Sequence, residues 1–153
     1  MARGGTRLIF KNPVTPGRLI KVLRPDKFST VISEGLLGSR SRCLYRIYQQ
    51  EINEYLYLKS VSANVGPLVS PIFGIVETSM GLGLDVEMIP SSDGGLAPTL
   101  DDLIRKDGVS PQMRCGVNRL ARALGELGVI VSDFKSHNLV LLPDGVSFCV
   151  VDG

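Results

Sequence analysis

The sequence has no tryptophan, a single histidine and three cysteines spread over 153 residues. Cys43, Cys115 and Cys149 form no CxxC pair and no cluster with His137, which excludes a structural zinc site of the Cys/His kind. An odd, scattered set of thiols reads as reduced, which fits a cytoplasmic protein. Long apolar runs are also missing. The most apolar window, VGPLVSPIFGIV (65–76), is short and broken by two prolines, so no membrane partner is expected. The first residues, MARGGTRLIFKN, hold no apolar signal-peptide core. An excess of one charge is lacking too. With a net charge of +2 and scattered Lys and Arg, the concentrated basic patch that a phosphate backbone requires is not seen, and no nucleic-acid partner is expected.

What is present is an ordinary globular composition, 44% apolar, in a length that suits one domain or two small lobes. TRLIF (6–10) and RLIKVL (18–23) are short β-branched runs separated by the turn formers NPVTPG, which predicts a hairpin. Residues 24–39 keep no period and read as an irregular insert. From Arg40 to Val61 the period is helical, with Leu44, Ile47, Tyr48, Tyr55 and Leu58 on one face. Residues 67–78 read as loop and strand, SMGLG (79–83) as a turn, and LDVEMI (84–89) as a strand. PSSDGGLAP (90–98) marks a boundary between residues 1–90 and 91–153. Beyond it, Thr99 with Asp102 predicts a capped short helix, and Ser110-Pro111 opens a second helix that Gly128 ends. The strands LVLL (139–142) and VSFCVV (146–151) follow, joined by a PDG turn. The fold class expected is α+β, an antiparallel N-terminal lobe with one helix, then a partial helical lobe ending in a β-hairpin.

The stretch VSDFKSHN (131–138) crowds polar groups between apolar segments. Asp133 and Asn138 are five apart with Lys135 between them, and Asp152 follows across one tight hairpin. An asparagine oxygen and a carboxylate are hard ligands suited to Mg²⁺, which takes few protein ligands and fills its shell with phosphates and water. A lysine beside them can neutralise phosphate, and a second carboxylate can accept a hydroxyl proton. Phosphoryl transfer needs that set, because its catalysis is positioning and charge neutralisation. The plainer alternative is that Asp and Asn here are turn formers bonding their own backbone.

The same residues resemble the protein-kinase-like fold. VSDFKSHN is similar to the catalytic loop H-R-D-L-x-x-x-N, and VDG (151–153) to the D-F-G element. The resemblance implies a catalytic base at Asp133, a catalytic lysine at Lys135, and metal ligands at Asn138 and Asp152. It implies a two-lobed fold with ATP between the lobes. RLIKV resembles the strand that ends in the nucleotide-binding lysine, here Lys21. Its expected partner is a helix glutamate: Glu51, which stands in the middle of an apolar face where an unpaired acid is costly, or else Glu54. Gly4 and Gly5 look like the tail of a glycine-rich phosphate loop, and VEMIP like a hinge whose backbone at Glu87, Met88 and Ile89 meets adenine. A core strand is the plainer reading of VEMIP, and a loop residue that of His137. Three positions depart from the pattern: Val131 and Ser132 replace the His and Arg of the loop, and Gly153 follows Asp152 directly where the family usually has an aromatic.

Within that fold, YQQEINEYLYL, PIFGIVET and VSDFKSHNLVL resemble the bacterial YrbL family of PhoP regulatory network proteins over nearly the whole chain. The resemblance implies a cytosolic kinase-like protein that moves the γ-phosphate of ATP to a hydroxyl of an unknown protein or small-molecule substrate. The alternative is a pseudokinase-like binding module without transfer. Kinase-like folds extend beyond D-F-G and begin before the glycine-rich loop, so a chain truncated at both ends is expected.

Overall fold

Short β-branched runs and one long amphipathic helix build the first half of the molecule. The computed structural model describes residues 2–3, 7–26, 39–62, 68–129, 131 and 133–152. Gly4, Gly5 and most of the insert expected at 24–39 lie outside the described residues. The fold is α+β, and the chain divides into two compact units. One comprises Met1–Ile52 and Ile72–Glu87; the other comprises Asn53–Pro71 and Met88–Gly153.

In the first unit five antiparallel strands, β1 (Ala2–Arg3), β2 (Arg7–Lys11), β3 (Arg18–Leu23), β4 (Ile72–Thr78) and β5 (Gly81–Glu87), lie in the order β1-β2-β3-β5-β4. The β2–β3 loop is shaped by Asn12, whose Oδ1 accepts the amides of Val14 and Thr15 at 2.9 and 3.1 Å. Gly17, at φ 77°, supplies the left-handed residue before β3. Helix α1 (Ser39–Val61) brings Tyr48 into a core with Leu23, Leu84 and Val86. Burial pushes the Tyr48 hydroxyl up to about 12, so it stays protonated and donates to the Lys21 carbonyl at 2.8 Å.

Residues 81–83 correct the expected turn. The β4–β5 turn is only Ser79-Met80, and Gly81-Leu82-Gly83 already belong to β5. Glycine at 83 serves packing instead of turning: a Cβ there would lie 2.6 Å from Ile20 Cγ2. The same strand ends at Glu87, so Met88 and Ile89 lie beyond it.

The second unit holds α2 (Leu100–Asp107), α3 (Pro111–Glu126), a 3₁₀ turn (Ser136–Asn138) and the hairpin β6 (Leu139–Leu141) with β7 (Phe148–Val150). Both helices start as their sequences require. Thr99 and Asp102 complete a reciprocal capping box, and Ser110 Oγ accepts the Met113 amide at 3.1 Å before Pro111. Each such cap stabilises its helix by about 1 kcal/mol. Gly128, at φ 71°, follows the end of α3. The core joins Leu58, Leu100, Leu120, Leu124, Leu139, Phe148 and Val150. Helix α3 approaches the hairpin closely at Gly116, where a Cβ would collide with the Val146 carbonyl and lie 3.0 Å from the Phe148 ring.

The hairpin is extended on both sides by pieces of distant chain. Ser70 N donates to the Val150 carbonyl at 2.8 Å and Val150 N to the Leu68 carbonyl at 2.9 Å, a parallel bridge. On the other side Leu141 N donates to the Pro98 carbonyl at 3.0 Å.

Candidate functional site

The candidate residues fall into two clusters, one in each unit. In the first, Lys21 on β3 meets Glu51 on α1. The Lys21 ammonium donates to Glu51 Oε1, and the Arg7 guanidinium on β2 donates to Glu51 Oε2. All three residues are buried, at 3%, 8% and 6% exposure for Lys21, Glu51 and Arg7. Glu51 is thus the helix glutamate that meets Lys21: it does not reach solvent, and two cations compensate the charge that its apolar surroundings would otherwise penalise. Glu54, the second choice, is partly exposed. Arg7 was not among the expected residues; an arginine opening a strand carries no sequence signal of burial.

The second cluster is the loop before β6. The Lys135 amide donates to the Asp133 carbonyl at 2.8 Å and the Asn138 amide to the Lys135 carbonyl at 2.9 Å, which folds the loop onto itself. The Asn138 carboxamide is buried and donates from Nδ2 to both the carbonyl and the carboxylate of Asp133, at 3.0 and 2.9 Å. Two acceptors on one side fix the amide's orientation, so Nδ2 faces Asp133 and Oδ1 is the oxygen on the other side. Lys135 Nζ lies 2.5 Å from Asp133 Oδ1. Its ammonium, then the Asn138 amide, hold the Asp133 carboxyl below its ordinary value, so it is ionised at neutral pH. Ser136 Oγ donates to Asp101 Oδ1 at 3.2 Å and ties the loop to the first turn of α2. That contact, too, was invisible in the sequence.

Across the hairpin, Val151 N donates to the Asn138 carbonyl at 2.9 Å, which continues the Leu139–Val150 register by one residue. Asp152 is therefore one residue from the strand position paired with Asn138, and it is half-buried. Among the described residues no group of three His, Cys, Asp or Glu side chains could hold a metal ion. An asparagine and an aspartate suit Mg²⁺ with nucleotide phosphates, since that ion uses one or two protein carboxylates.

The family described as PhoP regulatory network protein YrbL matches the chain over residues 1–153. The chain belongs to this family. No curated protein matches it. Among the described residues of this YrbL-family chain, no helix is long and apolar enough to cross a membrane.

The remaining candidates are distributed as follows. Glu87 closes β5 opposite Arg18, and Met88 opens the second unit's segment. Ile89 buries its side chain with Ala97, Val140 and Cys149, and its carbonyl accepts the Ala97 amide at 3.0 Å. His137 is exposed in the 3₁₀ turn. A cleft of about 690 Å³, lined by Phe10, Ile20, Val22, Val76, Met80 and others, opens on the first unit's sheet. Ile20 and Val22 alternate with Lys21 along β3, so this cleft belongs to the opposite face of the strand.

Proposed function

We propose that this YrbL-family chain is a kinase-like protein that binds ATP with Mg²⁺ and transfers the γ-phosphoryl group to a hydroxyl of a protein or small-molecule substrate in the cytoplasm. The observation that carries the reading is the buried Lys21–Glu51 pair: a buried ion pair adds little net stability over apolar packing, so one that fixes a lysine's direction supports a positioning role for that lysine. Glu51 would hold Lys21 toward the phosphates, and the backbone at Glu87 and Met88 would face adenine. Asn138 and Asp152 would hold the metal, whose charge would offset that of the phosphates. Asp133, ionised under Lys135, would orient the attacking hydroxyl and take its proton as the oxygen–phosphorus bond forms and the bond to the ADP oxygen breaks. A carboxylate of low proton affinity suits this step, since the transition state is loose and the nucleophile needs orientation more than deprotonation.

A second reading has its own support. Val131 stands where the catalytic loop carries histidine and Ser132 where it carries arginine. A pseudokinase-like binding module would keep the nucleotide or partner site and lose transfer.

Parallel nucleotide-binding and transfer assays separate the two. Asp133→Asn keeps the shape and removes the proton acceptor; transfer should fall by roughly 10²–10⁴-fold with Mg-ATP affinity nearly unchanged. Asp152→Asn should weaken the magnesium dependence of binding as well as transfer. Identical profiles for the two variants would sink the assignment of roles. Nucleotide binding without transfer in the unsubstituted chain would select the second reading. Absence of any thermal shift at millimolar Mg-ATP would remove both nucleotide readings, because a ligand of the folded state must stabilise it.

A further inference from the structure

We infer that Arg7 is a positioning residue for Lys21, acting through Glu51. The register sets the geometry. Arg7 faces Leu23, and Lys21 faces Ile9, so the two cations stand on one face of the sheet at diagonal positions of adjacent strands. Such positions are about 7–8 Å apart, too far for one to replace the other and close enough for one carboxylate to bridge both. Glu51 fills that role with one oxygen each: Oε2 for Arg7 and Oε1 for Lys21.

The two cations do different work in this bridge. A lysine ammonium is a point charge on a flexible stem and imposes no plane on the carboxylate it meets. A guanidinium is planar and holds its N–H groups in fixed directions, so the bond from Arg7 Nη1 limits where Oε2 can lie. With Oε2 held by Arg7, the positions open to Oε1 narrow, and Lys21 is aimed accordingly. The arrangement also spares Glu51 from becoming a buried, unpaired acid whenever the Lys21 ammonium turns to an anion. Tyr48, one helical turn before Glu51 on α1, bonds the Lys21 carbonyl, so the helix is fixed to Lys21 at both backbone and side chain. Arg7 completes that fixture from the neighbouring strand.

The meaning of this role rests on reading Lys21 as the phosphate-facing lysine, but its test does not. In the full chain carrying ¹⁵N-labelled lysine, the Lys21 ammonium resonance should exchange slowly with water, as a buried paired ammonium does. Arg7→Met should speed that exchange at least tenfold and move the resonance, and Arg7→Lys should restore neither fully, because it keeps the charge and loses the plane. Should Arg7→Met not fold, Arg7→Lys decides on the same signal. If both leave the Lys21 resonance and its exchange unchanged while only the melting temperature falls, Arg7 is a structural cation and the inference is overturned. Where Mg-ATP binds, Arg7→Met should weaken transfer more than binding, splitting kcat from KM. Where it does not bind, the nucleotide reading falls and the ammonium signal still decides the role of Arg7.

Discussion

In both units one carboxylate is shared by two partners, but the two clusters sit in different dielectrics. Around Glu51, the side chains of Arg7, Lys21 and the glutamate itself are each less than a tenth exposed. Around Asp133, the Lys135 side chain is 62% exposed and the aspartate 39%. Burial raises the stakes of every charge: two desolvated cations share one acid, and removing that acid takes a partner from both. The Asp133–Lys135 pair is wet and screened by salt, so it contributes little to stability. The first cluster therefore holds a helix to a sheet; the second holds a carboxylate at the surface.

The sharpest way to break this contrast is at Glu51. Glu51→Leu leaves Arg7 and Lys21 buried without their shared acid, and should cost about 3–5 kcal/mol in denaturant unfolding. Lys21→Met should cost well under half of that, since Arg7 still compensates Glu51. Equal losses would show that the two cations do not share the acid in solution.

The second unit should be fragile at its packing and not at its loop. Gly116→Ala forces a methyl group against Val146 and Phe148, and should cost about 1–3 kcal/mol. A denaturation midpoint unchanged by this substitution would mean that α3 and the hairpin can move apart freely.

Lys135→Met should have the smallest effect on stability, within about 1 kcal/mol at low salt and less at high salt. Its signature is in titration. Asp133 is an acid held below its ordinary value of 3.8, chiefly by Lys135. Its contribution is complete above that value and is lost as pH falls through the lower folded-state value. Lys135→Met should move the carboxyl midpoint, followed by ¹³C NMR, upward toward 3.8; an unmoved midpoint would assign the depression to Asn138 alone.

How far the sequence disclosed these features depended on how local they are. The loop was legible because D-x-K-x-x-N closes within six residues, each bonding the next few. Glu51 was legible because an acid centred on an apolar helix face demands a cation, and Lys21 lies on the strand before it. Arg7 was not, since its bond spans 44 positions and depends on a strand register that no local pattern encodes. Gly81-Leu82-Gly83 misled for the opposite reason: glycine signals turns, while here the Ile20 methyl occupies the space that a side chain at 83 would need. The contact of Ser136 with Asp101 was hidden by the same kind of distance.

The borrowed strands beside the hairpin give the molecule an order in time. β7 is bonded by Leu68 and Ser70, laid down some eighty residues earlier, and β6 by Pro98. A parallel pairing across that much chain forms slowly, because a long loop must close before the contact stabilises anything. During synthesis, Leu68 to Ser70 must wait with their backbone groups unpaired until Val150 emerges. The Asp133 loop is thus braced only once the chain has reached Val150. A chain interrupted before Phe148 would already carry every residue of VSDFKSHN and have no second strand to brace it, and a peptide cut from 129–152 would carry the letters of the loop without its shape.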